Sequence, residues 1–364
     1  FEHEMYKEYI MNTMSARQAA DINILLAGPK YSHVLAEAGR ILNLDPYYKK
    51  YNWENVLVEG NKIQKYQDHY YFVTQNWISV PWVYYNVGIF DKLGLSEPKT
   101  EEDLYNLVKT LKANGYEGIA LGTMVPNYAE HFISGFLPRF ITRNEFQDLM
   151  FCYQKNYQGI KWNDPRILDA FKNFKKWVDD EIFVKGMNGM DDSIARSLFI
   201  NGKAAMYQGG SWVPGLLISE APNLKFNAFL YPQIKKDIPV TTDAIMCNGY
   251  VVSADTKYPD ACGEFLNFML SHESQKLFLK EYGIFPTRRD FSEDELKSLV
   301  NETQLKIINS PGLYETTDSL QIWLTPDIME PYLRILQEVI SGQLTPEDAV
   351  NQLEKNVEEA RSKN

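Results

Sequence analysis

Signals for helices alternate with short apolar segments along this chain, and that alternation constrains the fold more than any other feature. Thr100 and Asp103 form a capping-box pattern ahead of apolar residues at helical spacing. The segment EGIALG at 117–122 then predicts a short buried strand, and Asp164–Pro165 predicts the start of the next helix. Strands separated by amphipathic helices predict an α/β fold with mostly parallel sheets.

The second half of the chain carries signals of the same kind. A helical region is predicted from about Asp260 to Tyr282, with a break at Ser271 and an end at Gly283. Thr345 has the position of an N-cap residue for the last helix. The sequence shows no internal repeat and no low-complexity linker.

Length and charge narrow the class of protein. A chain of 364 residues exceeds one ordinary hydrophobic core, so two domains of roughly 150 to 200 residues are expected. The net charge of −11 disfavours nucleic acids and anionic membranes as partners, because both require basic surfaces. Aromatic residues form 13% of the chain, which suits cores or a surface that stacks on flat apolar ligand faces. No segment reaches the roughly 20 apolar residues of a membrane span.

Residues that carry chemistry do not form catalytic or metal-binding patterns. The five histidines include no pair at the helical spacing of metal ligands, and no glycine-rich phosphate loop is present. The segment GGSWV at 209–213 resembles a nucleophile elbow, but Val213 replaces the final glycine. Adjacent carboxylates such as Asp191–Asp192 are more typical of a solvated face. We therefore predict no catalytic residues, no metal and no cofactor, although two glycosidase carboxylates could meet only in the fold.

The cysteines and the chain start allow two further expectations. Cys152, Cys247 and Cys262 have neither zinc-site spacing nor the density of a disulfide framework, so buried free thiols are expected. The sequence begins at Phe1 and not at methionine, which suggests that an upstream segment was cleaved or omitted.

The segment FINGKAAMYQGGSWVPGLL at 199–217 places a tryptophan directly after a glycine turn. A strand that ends in Gly209–Gly210 can turn sharply and approach a neighbour closely, because glycine has no Cβ. Trp212 would then stand at the edge of a ligand site. The alternative is a core tryptophan in the first turn of a helix, and these observations leave both open.

Four longer segments occur in a characteristic order. They are VPWVYYNVGIFDKLGLSEPKTEEDLYNLVKTLKANGYEGIALG (80–122), FINGKAAMYQGGSW (199–212), GYVVSADTKYPDACGEFLNFMLSHESQKLFLKEYGIFPTRRDF (249–291) and ISGQLTPEDAVNQLEKNVEEAR (340–361). Together they resemble the extracellular solute-binding proteins of ABC transporters, in the carbohydrate-binding group that includes maltose-binding protein. The resemblance covers nearly the whole chain.

The resemblance implies a periplasmic-binding-protein-like fold of type II, with two hinge-linked α/β lobes that close on a ligand in the cleft between them. Crossovers are expected near Pro81–Trp82, near 238–242 and near 313–320. Lobe one is then 1–82 plus 240–312, and lobe two is 83–239 plus 313–364. Only about twenty residues precede the segment ADINILL, so the first strand and helix of lobe one are expected to be missing from this sequence.

The resemblance also implies site residues. In sugar-binding relatives the Gly-Ser-Trp turn delivers an aromatic ring to the ligand, and Ser211 and Trp212 match that turn. The order of the motifs suggests further ligand contacts at Trp77, Asn76, Tyr128, Trp323, Tyr31 and Asp243. For each aromatic residue a core position is the alternative. Trp82 and Tyr84 lie in an apolar run and are predicted to be core residues.

The function implied is capture of a sugar, with an oligosaccharide favoured, outside the cytoplasm. The protein would act as a monomer, possess no enzymatic activity, and deliver the sugar to the membrane permease of an ABC transporter, as a periplasmic protein or a cell-surface lipoprotein. The alternatives are a polyol or a sugar phosphate as ligand and, in another class, a glycosidase.

Overall fold

A computed structural model describes residues 3–57, 65–242, 245–310 and 319–363. The strands in chain order are β1 (Ile22–Leu26), β2 (Val73–Ser79), β3 (Trp82–Asn86), β4 (Glu117–Ala120), β5 (Ala204–Gly209), β6 (Phe226–Leu230) and β7 (Ile245–Val252). The helices in chain order are α1 (His3–Ser15), α2 (Ser32–Glu37), α3 (Asp45–Tyr51), α4 (Trp53–Val56), α5 (Val87–Leu93), α6 (Glu101–Ala113), α7 (Asn127–Phe136), α8 (Arg143–Met150), α9 (Pro165–Asp179), α10 (Asp192–Ile200), α11 (Val213–Glu220), α12 (Pro259–Met269), α13 (His272–Tyr282), α14 (Glu293–Leu299), α15 (Glu302–Ile308), α16 (Leu320–Trp323), α17 (Pro326–Ser341) and α18 (Pro346–Lys363).

Local capping signals set the helix ends. The Thr100 hydroxyl accepts from the Asp103 N–H, and the Asp103 carboxylate accepts from the Thr100 N–H, so the predicted capping box of α6 is confirmed. The predicted break at Ser271 is also confirmed, because this residue caps α13 directly after α12. Gly283 ends α13 in the left-handed conformation, with φ of 65°.

The chain divides into two compact units. The first includes Phe1–Ile78 and Ile245–Asn301, and the second includes Ser79–Ala244, Glu302–Leu313 and Ser319–Asn364. The sequence-based division instead assigned 302–312 to lobe one. In the structure α15 packs on the second unit, where the Thr303 hydroxyl donates to the Phe226 carbonyl of β6 at 3.1 Å. The expected crossover near 313–320 lies mostly outside the described residues.

The first unit is built on a three-stranded sheet with the order β1-β7-β2. β1 and β7 are antiparallel, with Ile22 opposite Val252. An aromatic core lies beside this sheet, where the rings of Tyr48 and Tyr70 stack at 3.7 Å between centroids and Trp53 packs edge-on against Tyr48. Helix α1 precedes β1 in this unit, and the expectation of a missing first strand and helix stays a prediction.

The second unit is built on a four-stranded sheet with the order β4-β5-β3-β6. β3 is antiparallel to both β5 and β6, whereas β4 and β5 are parallel. The expectation of mostly parallel sheets is therefore wrong for these strands. A buried strand is a run of apolar residues whether its neighbours are parallel or antiparallel. The sequence pattern therefore indicates burial but not strand direction.

Several predicted core residues are buried in the structure. Trp82 and Tyr84 of β3 are 1% and 0% exposed, as predicted. Cys152 and Cys262 are buried free thiols, also as predicted. The side chain of Cys247 lies outside the described residues.

Candidate functional site

The glycine turn after β5 is held in place by Ser211. β5 is buried along its whole length, and α11 begins directly after Trp212. The Ser211 N–H donates to the Ser79 carbonyl at 2.8 Å, and the Ser79 N–H donates to the Ser211 hydroxyl at 3.1 Å. Ser211 is 1% exposed, so its hydroxyl serves the turn. These contacts give Ser211 a structural role in the turn, and a ligand contact at Ser211 stays a prediction.

The ring of Trp212 folds back over Gly210. A Cβ atom at Gly210 would lie only 1.9 Å from Cζ3 of the Trp212 indole. The Gly210 carbonyl accepts from the Tyr84 hydroxyl at 2.7 Å, which fixes the backbone beneath the ring. Glycine is required here because the aromatic ring occupies the space that a side chain would need.

Trp212 differs from every other tryptophan of this chain in its exposure. All seven tryptophans lie in the described part of the chain, and the six others are at most 5% exposed. Trp212 is partly exposed. A core tryptophan needs no further explanation, whereas an exposed aromatic face on a rigid turn is typical of a binding site.

His131 lies between Trp212 and Tyr128. The centroid of the His131 ring is 5.7 Å from that of Trp212 and 5.6 Å from that of Tyr128, and both contacts are edge-to-face. All three side chains are partly exposed. We call Tyr128, His131 and Trp212 the aromatic cluster. The sequence reasoning missed His131, although its position three residues after Tyr128 on a helix would have placed both on one face.

Polar groups support the aromatic cluster from within the second unit. His131 Nε2 lies 3.1 Å from Oε1 of Gln321 in α16. Since an amide oxygen only accepts, the imidazole proton belongs on Nε2 in this arrangement. Glu130, next to His131 in α7, is 0% exposed and accepts from the Ser134 hydroxyl and from the Gln321 backbone N–H. Burial raises the pKa of Glu130 to about 7, against the lowering effect of those two hydrogen bonds.

The remaining predicted site residues do not join the aromatic cluster. Trp77 and Asn76 lie on β2 of the first unit, where Trp77 is 2% exposed and stacks on Phe285 at 4.8 Å. Tyr31, in the same unit, is 4% exposed. Trp323 of α16 is 5% exposed and packs against Phe151 in the second unit.

Burial of these aromatic residues agrees with the core alternative. Asn76 is partly exposed and pairs with Pro286 through a backbone bridge. Asp243 lies outside the described residues. A direct ligand contact at Trp77, Asn76, Tyr31, Trp323 or Asp243 stays a prediction.

A separate hollow of about 470 Å³ lies elsewhere in the second unit. Phe229 and Pro232 contribute to its apolar lining, and the ion pair of Lys306 with Glu97, 2.6 Å apart, stands at its wall. None of the residues in the aromatic cluster lines it. Lys99, Asn309 and Ser310 also line the hollow, so polarity does not distinguish the two places. We take the aromatic cluster as the candidate site because it presents a partly exposed indole ring.

The two α/β units define a protein of the two-lobe periplasmic-binding class. The fold is similar to that of a solved chitin oligosaccharide binding protein, with a TM-score of 0.84, 21% identity, and coverage of 100% of this chain and 89% of that one. The sequence pattern of bacterial extracellular solute-binding proteins matches residues 12–276, more than half of the chain. The chain therefore belongs to that family, and both the predicted fold class and the predicted resemblance are confirmed.

Relatives of known source have similar descriptions. An uncharacterized ABC transporter extracellular-binding protein of Pyrococcus horikoshii is 26% identical over 294 residues, which are 78% of this chain and 61% of that relative. This chain therefore spans less than two thirds of the length of that relative. A probable sugar-binding periplasmic protein of Mesorhizobium japonicum is 25% identical over 336 residues, which are 90% of this chain and 77% of the relative.

Family membership makes the protein extracytoplasmic, as predicted, and the family and its neighbours are binding proteins. Within the described ranges, none of the helices combines the length and the apolarity needed to cross a bilayer.

Proposed function

We propose that this protein is the solute receptor of a carbohydrate ABC transporter. It captures a sugar, with an oligosaccharide as the favoured ligand, and delivers it to the membrane permease. Membership of the solute-binding family supports the receptor role, and the Mesorhizobium relative described as sugar-binding supports the class of ligand. The protein works as a monomer and binds the sugar without cleaving it.

The partial exposure of Trp212 on the turn after β5 is the observation that carries this proposal. A pyranose presents a patch of C–H groups on one face and hydroxyls around its edge. An indole covers the C–H face, and neighbouring polar groups bind the hydroxyls. In the aromatic cluster, Trp212 offers the indole, while the Tyr128 hydroxyl and the His131 ring offer polar atoms beside it.

A thermal-shift screen tests the ligand class. The panel consists of maltotriose, chitotriose and xylotriose, with inositol and glucose 6-phosphate for the polyol and sugar-phosphate alternatives. A sugar at 100 times its dissociation constant stabilises the folded protein by about 2.7 kcal/mol. Stabilisation by a polyol or sugar phosphate and by none of the oligosaccharides would contradict the proposed ligand class.

Trp212→Ala tests the site. If the ring stacks on the sugar, we expect a loss of roughly 2 to 4 kcal/mol in binding, which is a weakening of about 30-fold to nearly 1000-fold. Calorimetry measures the affinity, and a ligand-free melt measures the stability. Ile218→Ala is the matched control, because Ile218 is 47% exposed on the helix that follows Trp212. Near-normal affinity together with a large drop in melting temperature would show that the ring is structural.

Turnover is tested separately. The purified protein is incubated with whichever oligosaccharide stabilises it, and the sugar is then analysed by chromatography. We expect the oligosaccharide to be recovered intact. Release of shorter products at an enzymatic rate would support the glycosidase alternative and overturn the receptor role.

A further inference from the structure

Glu130 is a buried carboxyl group whose presence the fold alone does not explain. It is 0% exposed in α7, and its Oε2 atom has no hydrogen-bond partner among the described residues. The hydroxyl of Tyr332 in α17 is likewise buried and unpaired within that part of the chain. Burying polar groups without partners is costly, so a buried carboxyl is expected to have a compensating role.

The hydrogen-bond partners of Glu130 connect it to the aromatic cluster. Its carboxyl accepts from the Gln321 backbone N–H and from the Ser134 hydroxyl. The Gln321 side chain in turn lies 3.1 Å from His131 Nε2, and the His131 ring meets the Trp212 ring edge-on at 5.7 Å. One buried carboxyl thus anchors the backbone of the residue whose side chain orients the imidazole.

We propose that Glu130 is a positioning residue of the sugar site, which acts through Gln321 and His131 to hold the Trp212 ring in its stacking orientation. This inference rests on the proposed function, since the orientation matters only if Trp212 contacts the ligand. Glu130 itself does not touch the sugar. An ionised carboxylate accepts the Gln321 N–H more strongly than a neutral acid or amide does, so the support depends on its charge.

The charge dependence has a defined sign. Burial raises the pKa of Glu130 to about 7, above the ordinary value of 4.5. The folded state therefore binds more protons than the unfolded state between those values, and the contribution of Glu130 to stability falls as pH rises through that window. Affinity for the sugar should rise as pH rises through the same window, because the ionised Glu130 carboxylate holds the Gln321 N–H more strongly. The titratable groups beside Glu130 include His131, its neighbour on α7, and Tyr332 on α17, whose pKa is raised by burial and further by the Glu130 charge.

Glu130→Gln separates positioning from a purely structural role. At pH 8 we expect the variant to be more stable than the wild type and yet to bind the sugar selected from the maltotriose, chitotriose and xylotriose panel roughly three- to tenfold more weakly. At pH 5.5 the two affinities should coincide, because the wild-type carboxyl is then neutral. A structural role alone would make stability and affinity change together. Equal affinities at pH 8, or a wild-type pH profile retained in the variant, would overturn the proposal.

Glu354→Gln is the matched control. Glu354 is a second buried carboxylate of the same unit, 3% exposed, but it accepts from the Trp162 N–H at 2.9 Å and pairs with Arg361 at 3.3 Å. We expect its replacement to lower stability and to leave the affinity unchanged. An equal loss of affinity in this control would show that any buried charge in the unit affects binding, and it would refute a specific role for Glu130.

A ligand-free measurement keeps this inference separate from the proposed function. With 5-fluorotryptophan incorporated, the ¹⁹F signal of Trp212 is assigned from Trp212→Phe. Glu130→Gln should shift or broaden that signal at pH 8, and Gln321→Ala should do so even if Glu130→Gln fails to fold. An unchanged Trp212 signal in the folded variants refutes positioning. Failure of every sugar to bind refutes the proposed function while this measurement still decides the orientation of the ring.

Discussion

Gly210→Ala displaces the Trp212 ring without deleting it. An ideal Cβ at position 210 would lie 1.9 Å from Cζ3 and 2.4 Å from Cε3 of the indole, whereas ordinary van der Waals contact begins near 3.4 Å. The ring must therefore move away by about 1.5 Å, which is the difference between the 3.4 Å of ordinary contact and the 1.9 Å to Cζ3. The obstructing atoms are the far end of a partly exposed side chain, so the ring can move while the backbone stays in place.

The magnitudes follow from that geometry. Gly210 does not have a left-handed φ, so alanine is compatible with its backbone, and we expect a change in the free energy of unfolding of no more than about 1 kcal/mol. Complete loss of a stacked aromatic contact costs roughly 2 to 4 kcal/mol of binding. A displaced ring should lose about half of that, which corresponds to a weakening of about 5- to 30-fold.

The neighbouring glycine provides the control. A Cβ at Gly209 would lie 2.5 Å from Cγ2 of Val213, a residue that is 0% exposed and cannot move aside. Gly209→Ala should therefore lower stability by about 1 to 3 kcal/mol, with less effect on the affinity of the folded protein. Gly189→Ala, with no atom within 4 Å of the new Cβ, should change neither quantity. Calorimetry and chemical denaturation measure both. Wild-type affinity in Gly210→Ala would refute the assignment of the Trp212 ring to the site.

Two further predictions concern stability. Trp77→Ala removes a ring that is 2% exposed and stacked on Phe285, so we expect the free energy of unfolding to fall by about 3 to 5 kcal/mol in urea denaturation. A loss under 1 kcal/mol would show that Trp77 is not a core residue. Thr100→Ala removes the capping-box acceptor for Asp103 and should cost about 1 kcal/mol, with Thr100→Ser close to the wild type in thermal melts. A full loss in the serine variant would contradict the capping explanation.

The helix boundaries could be predicted because their causes are local. Thr100, Ser271 and Gly283 each act on backbone groups within a few residues, and those groups are adjacent in the sequence. Strand direction is not local. The antiparallel pairing of β3 with β5 joins Trp82 to Gly209, more than a hundred residues apart, and no periodicity encodes that partner. The same reason explains the different assignment of α15, whose contact with β6 joins residues 77 positions apart in sequence.

The geometry of the candidate site could be predicted from the sequence only where a local rule applied. Trp212 follows a glycine that its own ring covers, and that relation spans two residues. His131 is different, because its significance comes from Gln321, almost two hundred residues later, as well as from the nearby Tyr128. The sequence around each tryptophan also did not show which of them would be buried. Trp77 and Trp212 both follow polar residues, yet only the turn after β5 leaves its tryptophan partly exposed.

Glu130 shows why a hydrophobic pattern misses supporting residues. The pattern of α7 marks Phe132, Ile133 and Phe136 as buried and would assign a glutamate to the solvent face. In the structure this helix is covered on several sides, so the glutamate is buried with them. A carboxyl group in that position lowers stability when ionised, and it lies next to His131, which contacts the one tryptophan of seven that is partly exposed. We therefore expect ionised Glu130 to lower folding stability while it supports the orientation of the Trp212 ring. The stability and the affinity of Glu130→Gln at pH 8 measure these two opposite effects.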